Sequence, residues 1–283
     1  MYSSVALATR PRLVFVTAPR WRSHDRVRGP TVLYICIPSH DEAPTIGLLL
    51  WRIRKVLQES PREYEILVYD DGSTDSTAET LAPYTKVLPL SILGGPKHVG
   101  YAAALDALLR EAARRTKYPR RDAILTLQAD FTDQPEHIPE IAKRFEGGAD
   151  LVIAERPAAA PSLPVAVRRL SRVAPWILKP FASVPGVKDP FGSLRLYRVS
   201  LVRDLIKARG DKPLVQGEGW SANVGLLLEA APLARRIETL ELEPRYDLRP
   251  RDSRLRPWND AVRIFRFGRE ARSAQRAQRA ATA

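Results

Sequence analysis

Three apolar runs rich in β-branched residues each stop at an acidic motif, and this pattern narrows the folds open to the chain. Residues 32–38, VLYICIP, lead into Ser39-His40-Asp41-Glu42; EILVY leads into Asp70-Asp71-Gly72-Ser73; DAILTLQ ends at Gln128 and leads into Ala129-Asp130. Such runs read as buried strands. Between them, Ile46, Leu49, Leu50, Ile53 and Leu57 recur at helical spacing. STDSTAETLAPY opens with side chains that cap a helix, and GGPKHVGYAAALDALLREAARR reads as a glycine-rich loop feeding a helix. A third strand is expected around Lys86–Ile92, a helix over Pro135–Phe145, and a further strand in DLVIAER. Strands alternating with helices predict an α/β chain: a Rossmann-like, mainly parallel central sheet with helices on both faces. In such sheets ligands bind beyond the carboxyl ends of the strands. Two adjacent carboxylates repel and do not favour a strand. Their place at a strand end, with Gly72 next, therefore marks a ligand-facing rim.

The bulk composition narrows the partners. The 283 residues carry 45 Lys and Arg against 32 Asp and Glu, a formal net charge of +13. That balance favours anionic partners: nucleic acid, acidic lipid surfaces or phosphorylated substrates. The arginines are dispersed and no aromatic-interleaved basic strand occurs, so specific nucleic-acid binding is not expected. Cys36 is the single cysteine, which excludes an internal disulfide framework and a multi-cysteine zinc site. It sits in an apolar run and reads as a small core residue in a reducing compartment. No apolar run approaches the length of a spanning helix. Residues 1–30 read as a basic, poorly ordered arm without the apolar centre of a secretory signal.

The order of motifs resembles family 2 glycosyltransferases with the GT-A fold, and within them the dolichyl- or polyprenyl-phosphate sugar transferases. Those commonly show P-x-x-N-E, D-D-G-S, D-A-D with a following P-P-E, G-x-R, D-x-x-S-G-F-R and a basic R-x-x-G-x-S-K segment. The matching stretches here are Pro38 to Glu42, Asp70 to Asp75, and Gln128-Ala129-Asp130 with Gln134-Pro135-Glu136. Glu155-Arg156, Asp189 to Arg195, and Arg249 to Arg254 follow in the same order. The resemblance spans roughly residues 31–260, and six segments in order are far more specific than DDGS alone.

The resemblance implies a sugar transferred from a nucleotide-diphosphate sugar, with inversion, to a polyprenyl phosphate. Asp70 would bind the base, Asp71 and Gly72 would hold the loop, and Glu42 would lie near the nucleotide. Pro38, His40, Gln128, Ala129 and Asp130 complete the expected donor contacts, with His98 a further nucleotide-side loop residue. A departing diphosphate develops negative charge, which a hard divalent cation stabilises. Mg²⁺ or Mn²⁺ is the expected cofactor, with Asp130 and Gln128 as the expected metal residues. Gln128 departs from the usual aspartate of D-x-D, and Asp133, three residues beyond Asp130, is a candidate helper. Arg156, Arg195, Arg249 and Arg254 match the family's basic residues, and arginine forks suit phosphate oxygens. Ser193 and Ser253 are expected beside them. Asp130 and Arg195 are the expected catalytic residues. A polyprenyl phosphate is already anionic, so no strong general base is required. Gly225 stands where many relatives place a glutamate.

The expected organisation is a basic arm (1–30), a GT-A domain (31–260) and a basic helical tail (261–283). Within the GT-A domain, residues 31–156 form the nucleotide-sugar half and 157–260 the acceptor half. VAVRRLSRVAPWILKPF has the composition of an interfacial helix, and the arginines of the tail fall at helical spacings of three and four. The expected location is cytoplasmic, peripheral at an anionic membrane face. Two alternatives remain. One is the same fold with a saccharide, lipid-alcohol or small-molecule acceptor. The other is a non-catalytic protein that binds nucleotide sugars or other anions, with a degenerate metal site at Gln128.

Overall fold

The protein is described by a computed structural model. It covers residues 31–157 and 184–242, with Val165, Arg168, Arg169, Arg172, Val173, Trp176, Val262, Phe265, Arg266 and Arg269 described individually. The expectations for the arm, for most of the interfacial and tail segments, and for Arg249, Ser253 and Arg254 lie outside the described residues.

The chain alternates strands and helices from the start. β1 (Val32–Ser39) is followed by α1 (Ala43–Glu59), β2 (Glu63–Asp71) and the short α2 (Thr77–Leu81). Next come β3 (Leu90–Gly95), α3 (Tyr101–Arg115), β4 (Ala123–Thr126), α4 (Ile138–Glu146) and β5 (Leu151–Glu155). β6 (Arg195–Arg198) runs directly into α5 (Val199–Arg209), and α6 (Trp220–Ala230) and β7 (Ile237–Glu241) complete the described elements. The expected third strand starts later than the sequence pattern suggests, because Ala82–Lys86 coils into a 3-10 turn. Likewise Pro135–His137 form a 3-10 turn before α4 begins.

One seven-stranded sheet has the order β3-β2-β1-β4-β6-β5-β7. β6 runs antiparallel to both neighbours, and every other pairing is parallel. Each face is covered. Ile46, Leu49, Leu50 and Ile53 of α1 pack with Ile138, Ile141 and Phe145 of α4 against Ile35, Ile37, Ile66 and Val68. On the other face Leu105, Leu108 and Leu109 of α3 join Leu201, Leu205, Leu226 and Leu227 of α5 and α6. Strand alternation divides the apolar side chains of the central strands between these two cores. β6 and β7 were not anticipated. Each is too short for periodicity to reveal, and RLYR places arginines at both ends of a strand whose middle is buried.

Candidate functional site

The fold aligns three acidic loops. Ser39 is the register partner of Asp70 on β2, and β1 also pairs with β4, whose chain continues to Gln128, Ala129 and Asp130. SHDE, DDGS and QAD therefore follow the carboxyl ends of three adjacent parallel strands. The Ser39 hydroxyl, in the middle of this rim, is buried and has no hydrogen-bond partner among the described residues.

The first two loops lock together through side chains. Asp41, held at φ 53°, accepts the Thr74 N–H at 2.7 Å, and the Asp41 N–H donates to the Ser73 hydroxyl at 3.0 Å. Asp75 accepts the Ala43 N–H at 3.0 Å and also takes the Thr77 hydroxyl. Glu42, 6% exposed, donates its backbone N–H to Thr77 and accepts the Thr45 hydroxyl at 2.9 Å. The hydrogen bonds on Asp41 and Asp75 outweigh their modest burial and hold both carboxyls below the usual aspartate range. Glu42 thus fixes the start of α1 from inside, a role its position in the motif did not reveal.

Asp70 and Asp71 divide their tasks. The Asp70 carboxylate caps the turn through the Ser73 N–H at 3.1 Å and stays half-buried at the rim. Asp71, only 2% exposed, accepts the backbone N–H groups of Val99 at 2.6 Å and Gly100 at 2.9 Å. It anchors the loop that opens α3. Gly72 has φ 64°, and a Cβ there would lie 2.7 Å from the His98 nitrogen, so the two loops touch through a glycine.

His40 and His98 lie on this contact, with ring centroids 4.3 Å apart. Each Nδ1 approaches the Asp71 carbonyl oxygen, at 2.8 Å and 3.1 Å. A carbonyl only accepts, so both Nδ1 atoms carry a proton; His40 Nε2 lies 3.5 Å from Asp41 Oδ2, and His98 Nδ1 is also 3.1 Å from Asp71 Oδ2. The histidines are apart in sequence, and only the tertiary contact pairs them.

The third loop is a tight turn. Phe131 adopts φ 62°, unusual for a side chain of its size, and is 3% exposed. Asp130 accepts the Thr132 N–H at 3.0 Å, Gln134 donates to the Phe131 carbonyl at 2.7 Å, and Asp133 accepts the Gln128 N–H at 3.1 Å. Ser193 also donates its hydroxyl to Asp133, at 2.7 Å. Burial pushes the Asp133 carboxyl up to about 6, against the pull of these two hydrogen bonds. The side chains of Gln128, Asp130 and Asp133 offer only oxygen or amide donors, a set that suits Mg²⁺ or Mn²⁺. No group of three or more His, Cys, Asp or Glu side chains forms a metal cage among the described residues.

A small pocket that starts at the end of this turn is lined by Thr132, Asp133, Gln134, His137, Glu155 and Arg156, among others. Arg156 is paired with Asp189, Nε to Oδ2 at 2.8 Å, and its guanidinium stacks over Trp220 at 5.1 Å. Burial pushes the Asp189 carboxyl up, but the Arg156 charge and hydrogen bonds outweigh it and leave it low. Glu155 is 3% exposed and accepts the Lys188 N–H at 2.6 Å; burial raises its carboxyl.

Two of the expected phosphate contacts are placed inside the protein. Arg195 is 1% exposed; its fork donates to the carbonyls of Asn223 at 2.5 Å and Pro190 at 2.6 Å, and its Nε is buried with no hydrogen-bond partner among the described residues. Its alternating place on β6 turns it inward, where it ties the sheet to α6 and the 189–193 loop. Ser193 is 6% exposed, and its hydroxyl donates to Asp133.

Residues 34–206 match the family described as glycosyl transferase family 2. A curated relative is the undecaprenyl-phosphate 4-deoxy-4-formamido-L-arabinose transferase of Photorhabdus laumondii subsp. laumondii, 30% identical over 123 residues. That match covers 42% of this chain and only 35% of the relative, so the chain aligns with about a third of its length. The transferase of the same name from Pseudomonas fluorescens is 30% identical over 120 residues, covering 42% of this chain and 33% of its own length. Among solved structures, mannosyl-3-phosphoglycerate synthase from Rubrobacter xylanophilus superposes with a TM-score of 0.59 at 18% identity. That superposition covers 90% of this chain and 76% of the other. Glucosyl-3-phosphoglycerate synthase from Mycobacterium tuberculosis, in complex with Mn²⁺, uridine diphosphate and glucosyl-3-phosphoglycerate, gives 0.56 at 19% identity, covering 84% and 77%. At these identities the likeness establishes the GT-A fold.

Proposed function

The chain belongs to glycosyl transferase family 2, and on that premise we propose that it moves a sugar, with inversion, from a nucleoside-diphosphate sugar to a polyprenyl phosphate. The observation that carries this reading is the convergence of the Glu42, Asp70 and Asp130 loops at the ends of adjacent parallel strands. The undecaprenyl-phosphate relatives support the acceptor class.

The half-buried Asp70 carboxylate is an acceptor for base N–H or ribose hydroxyl groups, with the paired rings of His40 and His98 beside it. Asp71 holds the loop at residues 96–100 in place beside them. Asp130, with the Gln128 amide oxygen, would hold Mg²⁺ or Mn²⁺, which when bound offsets the charge growing on the leaving diphosphate. An acceptor phosphate oxygen forms the bond to the anomeric carbon as the bond to the donor's β-phosphate oxygen breaks. The electron pair leaves with the nucleoside diphosphate. No proton moves, so no base is needed from this chain.

Residues 31–156 hold the donor in this reading, and residues 157–260 face the acceptor. In the same reading the VAVRRLSRVAPWILKPF segment and the basic tail 261–283 contact an anionic membrane face. Exposed helical residues support the membrane contact: Trp176 at 77%, Val165 and Val173, beside Arg169 and Arg172, and Val262 and Phe265 beside Arg266 and Arg269. No helix among the described residues is long and apolar enough to cross a membrane.

The test is incubation of the purified chain with labelled nucleotide sugars, Mn²⁺ and undecaprenyl phosphate in anionic vesicles. A lipid-linked labelled product is expected. Label passing only to soluble saccharide or small-molecule acceptors would replace the acceptor assignment. No nucleotide binding with or without Mn²⁺ would support a non-catalytic protein.

A further inference from the structure

Asp133 is 8% exposed, yet both of its hydrogen-bond donors, the Gln128 N–H and the Ser193 hydroxyl, meet the same oxygen, Oδ2. Among the described residues Oδ1 receives no hydrogen bond and no cation makes an ion pair with Asp133. The side chain sits three residues after Asp130 in the same turn and lines the pocket that begins at Thr132. Arg156, a basic lining residue of that pocket, is committed to Asp189. Buried carboxylates are normally paired with a cation or coordinate a metal. Here the charge of Arg156 acts on the carboxylate without an ion pair, the charge of Asp130 acts on it as well, and it is tied to the backbone of residue 128, where the motif carries a neutral amide.

We propose that Asp133, through Oδ1, supplies the cation site with the negative charge that Gln128 lacks. The proposal rests on the metal-assisted function above. The Ser193 bond and the Gln128 N–H bond aim the carboxylate. The inward turn at Phe131, φ 62°, brings position 133 back beneath position 128. A carboxylate at 133 can thus act on the ion that Asp130 holds, directly or through one of its waters, while Gln128 contributes at most a neutral oxygen.

The experiment follows the electron-paramagnetic signal of free Mn²⁺ titrated with the full chain in the presence of uridine diphosphate. Wild type takes up Mn²⁺. Asp133→Asn keeps an acceptor for Ser193 and weakens Mn²⁺ binding about 10- to 100-fold, while uridine diphosphate affinity without metal is unchanged. Adding Gln128→Asp to Asp133→Asn returns Mn²⁺ affinity to within about threefold of wild type, since the lost charge is restored beside the ion. Unchanged Mn²⁺ affinity in Asp133→Asn, or no recovery in the double variant, overturns the proposal and leaves the transferase reading standing. If Asp133→Asn fails to fold, Gln128→Asp alone decides. A gain below about threefold fits a charge already supplied from 133; a gain of about tenfold or more overturns it. Failure of the wild type to take up Mn²⁺ with uridine diphosphate overturns the metal-assisted reading itself, and this proposal with it.

Discussion

The carboxylate of Asp71 accepts the backbone N–H of Val99 at 2.6 Å. This bond joins the end of β2 to the loop that opens α3. With the Gly100 bond at 2.9 Å it makes Asp71 an anchor for the loop, and the half-buried Asp70 is left as the rim-facing carboxylate. Replacing Asp71 by Asn leaves one acceptor and removes the charge that strengthens both bonds. The expected cost is about 1–3 kcal/mol. Amide exchange at Val99 and Gly100 should accelerate, and nucleotide affinity should fall. Protected amides in Asp71→Asn would show that the loop is held by other contacts.

Gly94 offers a sharper steric test. Its φ is 112°, and a Cβ would lie 2.0 Å from the Asp70 carbonyl oxygen across the β2–β3 pair. Gly94→Ala is expected to destabilise the fold by about 2–4 kcal/mol. Gly95→Ala, with nothing within 4 Å of the added carbon, serves as the control and should change stability little. Equal urea midpoints for the two variants would contradict the close approach.

Arg195 is expected to behave as a structural residue. Lysine cannot reproduce a fork that donates to Asn223 and Pro190 from a fully buried position. Arg195→Lys should lower unfolding free energy by about 2–4 kcal/mol and leave uridine diphosphate affinity in the folded fraction unchanged. Loss of ligand affinity at full stability would return Arg195 to the ligand contacts.

Asp133 also gives stability a pH dependence. Burial raises its carboxyl from the ordinary 3.8 to about 6, so the folded state holds this proton more tightly than the unfolded chain. The stabilisation is fully present below about 3.8 and is lost as pH rises through about 6. Without metal, wild type should therefore lose about 3 kcal/mol relative to Asp133→Asn between pH 3.5 and 8, roughly two units at about 1.4 kcal/mol each. Urea unfolding of both proteins across that range reads the difference directly. A constant gap would show that Asp133 titrates normally.

The acidic motifs were legible because each follows a strand whose apolar run is unmistakable. A parallel sheet then puts those strand ends on one side whatever the helices do. The burial of Arg195 was not legible because its motif does not indicate which side of a strand faces water. RLYR is only four residues long, and its inward alternation depends on β4 and β5 lying on either side. The pairing of His40 with His98 and the tie from Asp133 to residue 128 were likewise invisible in sequence, since each is made by a turn and not by a period.

The amino-acid sequence alone determined the α/β alternation, the parallel core and the acidic loops at its rim, because burial periodicity and turn chemistry are local properties of the chain. Tertiary structure alone decided which carboxylates stay at the rim and which hold backbone N–H groups. It turned Asp71 inward to hold Val99 and Gly100, tied one oxygen of Asp133 to residue 128 and closed Arg195 into the core. Those outcomes depend on hydrogen bonds between loops distant in the chain, and such bonds exist only once the sheet has brought the loops together.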